Sequence, residues 1–521
     1  MPIGRDEFAV MRRAGLLRPS RPDALIGMAL QALRWGTTPA AGYAAAAARD
    51  PRGIAVIDDE GSITFREIQD GASAIARGLK ARGVCSGMRV GILLRNSRWF
   101  PMGVCALAQL GADAVLLNTG FSDAQVAAAA RSEGADLVIR ELDGVATLTG
   151  PGIRAVSLDD LLETAGDPVP KPMAPGRIVI LTSGTTGAPK GAARSSATLG
   201  DAVSLLEVVP LRARETTIIG PPVFHAWGFA HLTLAMVLGT TVVLRKAFDP
   251  LQVIADIADH HASALIAVPV MLRKLVEVPP EERESRDLSS LRVVVASGSA
   301  IPIPVAAAFL DTYGDYPGVL YNLYGSTEAA YATVAGPEDM RAAPGTAGRP
   351  LRGVSIRILD EHGGDVASGE AGRIFVGSSM TFGGYTDGAD KSRIDGLVST
   401  GDVGRFDAEG RLMIEGRDDD MVISGGENVF PREVEDTIAA HPDVRECAVI
   451  GVDDVEFGTR LAAYVVVRTN ASLDADTVRE FVRHRLARFK VPRDVMFIAE
   501  LPRNATGKVL KRELAGERLG G

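Results

Sequence analysis

An apolar run, Ile178-Val179-Ile180-Leu181, passes directly into Thr182-Ser183-Gly184-Thr185-Thr186-Gly187 and then Ala188-Pro189-Lys190-Gly191. The apolar residues read as a buried strand. Glycines let the backbone turn tightly and approach a ligand closely. Successive N–H groups and hydroxyls after a strand can cradle phosphate oxygens, and Lys190 adds positive charge. The stretch is not a Walker A loop, because Pro189 precedes the lysine and Gly191 follows it. A Ser/Thr/Gly cluster is ordinarily a surface loop. Two features set this one apart: it follows a strand without a break, and it ends in Lys-Gly.

Other segments carry chemistry of the same kind. In Tyr321-Asn322-Leu323-Tyr324-Gly325-Ser326-Thr327-Glu328 a strand end delivers an aromatic, a glycine, hydroxyls and a carboxylate within eight residues. Tyr324 can stack on a purine, Asn322 can read an adenine amino group, and Thr327 can hold a phosphate oxygen. Glu328 can bind Mg²⁺, a hard ion that takes few protein carboxylates besides ligand phosphates. Weaker alone are Pro222 to Phe229, with His225 and Trp227, and the turn Ser297-Gly298-Ser299-Ala300. The same holds for Asp402 in Ser399-Thr400-Gly401-Asp402 and for Arg417 before three consecutive acids. Taken singly, each is more often a turn or a solvated charge. Near the end, Arg503-Asn504-Ala505-Thr506-Gly507-Lys508 is a loop with one lysine.

These segments together, in their order along Gly53 to Leu514, resemble the motifs of the adenylate-forming superfamily: acyl-CoA synthetases, peptide-synthetase adenylation domains and firefly luciferase. Within it the chain looks most like a bacterial fatty acyl-CoA synthetase. The resemblance implies ATP, Mg²⁺ and CoA. A carboxylate attacks the α-phosphate of ATP to give acyl-AMP and pyrophosphate, and the CoA thiol then displaces AMP. The implied catalytic set is Lys508, Thr327, Glu328 and His225, with Glu328 as the metal ligand. Thr182, Ser183, Gly184, Thr185, Thr186, Gly187 and Lys190 hold the pyrophosphate. Gly298, Ser299 and Ala300 line the adenine, completed by Asn322, Tyr324 and Gly325. Asp402 and Arg417 hold the ribose, Asp419 is a hinge, and Gly425 and Gly426 flank the pantetheine tunnel. No general base is needed, since a carboxylate is ionised at neutral pH. Gly228 and Ala230 suggest a roomy tunnel for medium- or long-chain acids. An aryl or other acid–CoA ligase, an acyl-AMP ligase that loads a carrier protein, and a non-catalytic acyl or nucleotide binder are the alternatives.

The elements that must position these groups alternate between strand and helix, which implies an α/β fold with helix-covered, mostly parallel sheets. Strands are expected at 55–58 and 62–65 around a turn at Glu60-Gly61, and at 90–94, 114–117 and 137–139. Helices are expected at 65–82, 101–110 and 122–134. After about Gly345 short strands and glycine turns read as a small β-rich unit. The last hundred residues form a small α+β domain, which the resemblance makes mobile. The expected division is an arm at 1–45, an ATP- and acyl-binding body at 46–417 and a C-terminal domain at 418–521.

Composition bounds the rest. The chain has 521 residues, 46% of them hydrophobic, and a net charge of −9, which argues against a nucleic-acid partner. Its three cysteines are far apart and fit neither a disulfide framework nor a zinc site, as expected of a cytoplasmic protein. No run of about 18 apolar residues suggests a transmembrane helix. The arginine-rich arm with Ala24 to Leu30 reads as an amphipathic helix packed on the body, with peripheral membrane contact as the alternative. A homodimer stays open.

Overall fold

The computed structural model describes residues 5–516 except 19, 37, 142–152, 165, 166, 168, 183–189, 195–198, 315–319, 425, 426 and 455–457. Its valine- and isoleucine-rich runs become strands buried on both faces, as helix-covered parallel strands must be. All six residues of Ala262–Ala267 and all four of Val293–Ala296 are buried.

Among the described residues, a six-stranded sheet runs in the order Arg154–Ser157, Ala135–Arg140, Arg89–Leu93, Asp113–Leu116, Ile178–Thr182, Lys190–Arg194. Its neighbours are parallel except the last pair. A larger sheet has a parallel half, made of Ile54–Asp58, Thr241–Val243, Thr216–Ile219, Ala262–Ala267, Val293–Ala296 and Leu320–Ser326. It continues without a break into the antiparallel strands Ala330–Ala335, Thr346–Pro350, Leu412–Arg417, Leu397–Phe406, Gly372–Gly377 and Ser355–Leu359. The β-rich unit is thus hydrogen-bonded to the large sheet. Sequence pattern did not reveal this, because the joining strand Thr346–Pro350 is only five residues long and contains glycine and proline. A third sheet, centred on Val444–Asp454 and Gly458–Val467, carries the C-terminal domain with helices Pro431–Ala439 and Ala475–Arg483.

The helices start where the sequence supplies caps. Thr64 and Glu67 form a capping box on Phe65–Ala81, and Ser122 with Gln125 does the same for Asp123–Ser132. The expected apolar stripe Ile68, Ala72, Ile75, Ala76 and Leu79 is buried. The arm packs on the body, as expected. Helix Arg5–Arg13 buries Val10 and Met11, and the Ala213 N–H donates to the Ala14 carbonyl at 2.7 Å. Residue 45 falls inside helix Pro39–Arg49, whose Tyr43 and Ala44 are core residues. No helix of the described residues is long and apolar enough to cross a membrane.

Buried Asn96 fixes the entry to one functional segment. Its amide Nδ2 donates to the Pro221 carbonyl at 3.0 Å, and its Oδ1 accepts the Val223 N–H at 2.8 Å, two residues before His225. Asn96→Ala strands both backbone groups in the interior. The expected cost is about 2 kcal/mol in chemical unfolding, with KM for the acid rising more than KM for ATP.

Candidate active site

The chemistry-bearing segments converge because they follow parallel strands. Thr182 ends Ile178–Thr182, His225 follows Thr216–Ile219, Gly298 to Ala300 follow Val293–Ala296, and Asn322 to Ser326 lie in Leu320–Ser326. Open α/β sheets bind ligands in the crevice at the carboxyl ends of such strands. Gly298, Ser299 and Ala300 are exposed there, with Gly298 at φ +93°. Gly325 packs on the Ala330 carbonyl in the following hairpin strand. The strand is longer than its apolar residues alone suggest. It runs on through Ser326, because Ala330–Ala335 pairs back on it.

Tyr324, Asp402 and Arg417 form one cluster. The Tyr324 phenol donates to Asp402 Oδ2 at 2.6 Å, and an Arg417 guanidinium nitrogen stands 3.7 Å from Asp402 Oδ1. The pairing register sets Asp402 directly opposite Arg417. Burial pushes the Asp402 carboxyl up, while the hydrogen bond from Tyr324 and the charges of Arg417 and Lys508 oppose that rise. Burial, then the adjoining carboxylate, pushes the Tyr324 phenol well up. Arg417 also donates to both oxygens of Asp419, at 2.7 and 3.2 Å. Asn322 Nδ2 donates to the Thr346 carbonyl at 2.9 Å, which leaves its Oδ1 as an acceptor.

Glu328 is half-buried and accepts the Tyr385 hydroxyl at 2.6 Å, and its neighbour Thr327 is half-buried as well. Tyr385 lies beneath Lys190, whose Nζ is 5.5 Å from the ring centre and 3.2 Å from Asp387. Sequence reading missed Tyr385 and Asp387, which sit in a glycine-rich loop with no strand or helix pattern. Thr182 pairs with Lys190, so the two ends of the intervening loop meet. Ser183, Gly184, Thr185, Thr186 and Gly187, like Gly425 and Gly426, lie outside the described residues. Among the described residues no group of three or more His, Cys, Asp or Glu forms a metal cage. Mg²⁺ does not require one, since it is usually held by one or two carboxylates plus phosphates. Glu328 fits that donor set.

His225 caps helix Ala226–Leu238 at its N-terminus. One turn on, His231 meets Trp227 at 4.1 Å between ring centres, and Tyr331 stands 6.4 Å from Trp227 and 6.2 Å from His231. The Trp227 indole donates to the Ala267 carbonyl at 2.8 Å, which ties this aromatic wall to a strand end. Burial depresses both imidazoles to about 4, and among the described residues neither Nε2 has a partner. His231 and Tyr331 were not singled out in the sequence, because a buried histidine and an isolated tyrosine carry no motif. The small size of Gly228 has a local structural reason. A Cβ there would meet the Pro222 carbonyl oxygen at 2.4 Å, so the glycine serves backbone packing.

Lys508 rides on a hairpin of the C-terminal domain. Asn504 Oδ1 accepts the N–H groups of Thr506 and Lys508 at 3.0 and 2.9 Å, and Arg503 donates to the Gly507 carbonyl at 2.6 Å. Gly507, at φ +80°, lies so close to helix Pro269–Val276 that a Cβ would meet Val270 Cγ1 at 2.6 Å. The hairpin is held there by Glu446, which receives Arg503 from its own domain and Arg273 from the body. Arg445 and Glu277 add a second pair at 2.9 Å. In this docked arrangement Lys508 is exposed, and its charge bears on Asp402.

The AMP-binding enzyme family model matches residues 43–386, and the AMP-binding enzyme C-terminal domain model matches residues 433–508. The 2-succinylbenzoate–CoA ligase of Bacillus licheniformis is 33% identical, over 89% of this chain and 97% of that one. A feruloyl-CoA synthase of Amycolatopsis is 32% identical, over 89% and 96%. The solved o-succinylbenzoate CoA synthetase of Bacillus subtilis, in complex with its acyl-adenylate, superposes with a TM-score of 0.81 at 28% identity, covering 91% of this chain and 97% of that one. The chain belongs to the AMP-binding enzyme family, within the adenylate-forming superfamily. It is an enzyme of the acid–CoA ligase type.

Glu446→Gln removes the charge shared by Arg273 and Arg503. The docked population is expected to fall roughly tenfold. Small-angle scattering reads this as a larger radius, and limited proteolysis reads it as faster cleavage around Asp418–Asp420.

Proposed function

We propose that this enzyme activates an aryl or other ring-bearing carboxylic acid with ATP and transfers it to CoA. The observation that carries this reading is the docked hairpin, which brings the Lys508 charge to the cleft where Tyr324, Asp402 and Arg417 cluster. The choice of acid rests on the aromatic wall of Trp227, His231 and Tyr331 and on the acids in the relatives' names, 2-succinylbenzoate and feruloyl. Both support the aryl alternative over the fatty acid first favoured.

The first step brings an anion to a polyanion, so charge must be offset where it develops. Lys508 meets the α-phosphate and the entering carboxylate oxygen. Thr327 holds a phosphate oxygen, and a Mg²⁺ on Glu328 would neutralise phosphate charge. The loop 182–190 holds the departing pyrophosphate. Lys190 must exchange Asp387 for phosphate, at small cost because the pair is half-exposed. Tyr324 faces the adenine, Asn322 Oδ1 accepts its amino group, and Gly298 to Ala300 and Gly325 border it. Asp402 and Arg417 take the ribose hydroxyls. The two histidines are neutral at working pH, so His225 presents no cation that would stabilise the free carboxylate.

On this reading CoA needs its own approach to the acyl-adenylate. The C-terminal domain, 418–521, rotates about Asp419, withdrawing Lys508 and bringing Gly425 and Gly426 to the pantetheine.

Lys508→Ala is expected to slow acyl-AMP formation about 100-fold or more while sparing thioester formation from supplied acyl-AMP. Equal loss of both half-reactions rejects the role. A panel of acids scored by pyrophosphate release is expected to favour arylpropenoates and arylacetates over alkanoates, and CoA over a carrier protein as acceptor.

A further inference from the structure

The arm holds a surface that the ligase reaction does not use. Residues 1–35 contain six arginines and three acids in a chain of net charge −9. Helix Pro22–Trp35 buries Ala24 and Trp35, and Gly27 faces Ala48 across the contact with the next helix. Its opposite side exposes Leu25 by 52%, Ile26 by 63%, Leu30 by 58% and Leu33 by 73%. The i, i+4 and i, i+3 spacings put Ile26, Leu30 and Leu33 on one stripe, with Leu25 at its edge. Scattered exposed leucines are ordinary, but a contiguous stripe marks an interaction surface.

A cavity of about 330 Å³ opens at the start of this helix, lined by Ser20, Arg21, Arg49, Asp50 and Arg214 among others. Arg214 donates to the Ser20 hydroxyl at 2.9 Å and, more weakly, to the Arg18 carbonyl. Among the described residues Arg49 donates to the Gly239 carbonyl at 3.5 Å, and its buried Nε has no partner. Among the described residues neither guanidinium is in a salt bridge, and the nearby Asp50 carboxylate accepts the Gly53 N–H. Burial, and then the Arg214 charge, depress Arg49, and the Asp50 carboxylate only partly opposes them, as expected of two cations sharing one anion. Guanidinium forks suit phosphate oxygens.

We propose that this face docks on an anionic phospholipid bilayer, with a headgroup phosphate in the Arg49–Arg214 cavity and Leu25, Ile26, Leu30 and Leu33 in the interfacial layer. Charge complementarity selects this occupant. A second copy packed about a two-fold axis would bring two arginine-rich faces together with no acidic surface to complement them. A free phosphate would leave the stripe uncovered. Basic residues beside an apolar helix stripe are the recurring composition of interfacial anchors.

The test is co-sedimentation of the full chain with phosphatidylcholine vesicles, with and without phosphatidylglycerol, alongside light scattering of the protein alone. The expected result is binding to the mixed vesicles that falls about tenfold on pure phosphatidylcholine and on raising salt. Leu30→Ser/Leu33→Ser, and separately Arg49→Gln/Arg214→Gln, each lose about tenfold while ATP turnover with the preferred acid is kept. Three results overturn the proposal: no binding to the mixed vesicles, equal binding by the leucine variant, or a wild-type dimer that the leucine variant dissociates. Protection of the cavity by inorganic phosphate without vesicle binding likewise assigns it to a free anion.

Discussion

Glu446 is one carboxylate held between two guanidinium groups, one from the body and one from the C-terminal domain. Arg273 comes from helix Pro269–Val276 of the body, and Arg503 from the foot of the hairpin that carries Lys508. Sharing an anion this way keeps two like charges close together, and the arrangement exists only while the C-terminal domain is docked. The place of Lys508 therefore follows from Glu446 and Arg273, charges distant from it in sequence. Arg417 inverts the pattern on a smaller scale, one guanidinium between two carboxylates, near Asp402 in the cleft and bidentate on Asp419 where the chain leaves the large sheet. Any turn of the domain about Asp419 alters the pairing of a guanidinium that also faces Asp402.

This coupling gives the two-step chemistry a physical basis. Adenylation needs a concentrated positive field where anions meet. Thioester formation needs an approach for a thiol carried on a long arm. One rigid cleft serves both poorly. The hairpin meets the body through ion pairs and the close approach of Gly507 to Val270.

Much of this was legible in the sequence. The parallel strands and their following helices come from apolar runs and caps, and Asp402, Glu328 and Lys508 come from motifs in a shared order. What stayed hidden depends on distance along the chain. Tyr385 meets Glu328 across 57 residues, and Tyr324 meets Asp402 across 78. The continuity of the β-rich unit with the large sheet hangs on one short strand. Gly228 is ambiguous in sequence, because a missing side chain can serve a backbone contact as well as an open tunnel.

The central claim is that Lys508 visits the cleft in one of two domain poses. The direct measurement is a distance distribution between spin labels on exposed Ser289 and Arg483, each changed to cysteine in a Cys85→Ser background. With ATP and acid a single population is predicted, at the separation of the docked structure. With a non-hydrolysable acyl-AMP analogue and CoA a second, displaced population is predicted. One unchanged distribution under both conditions would contradict the account.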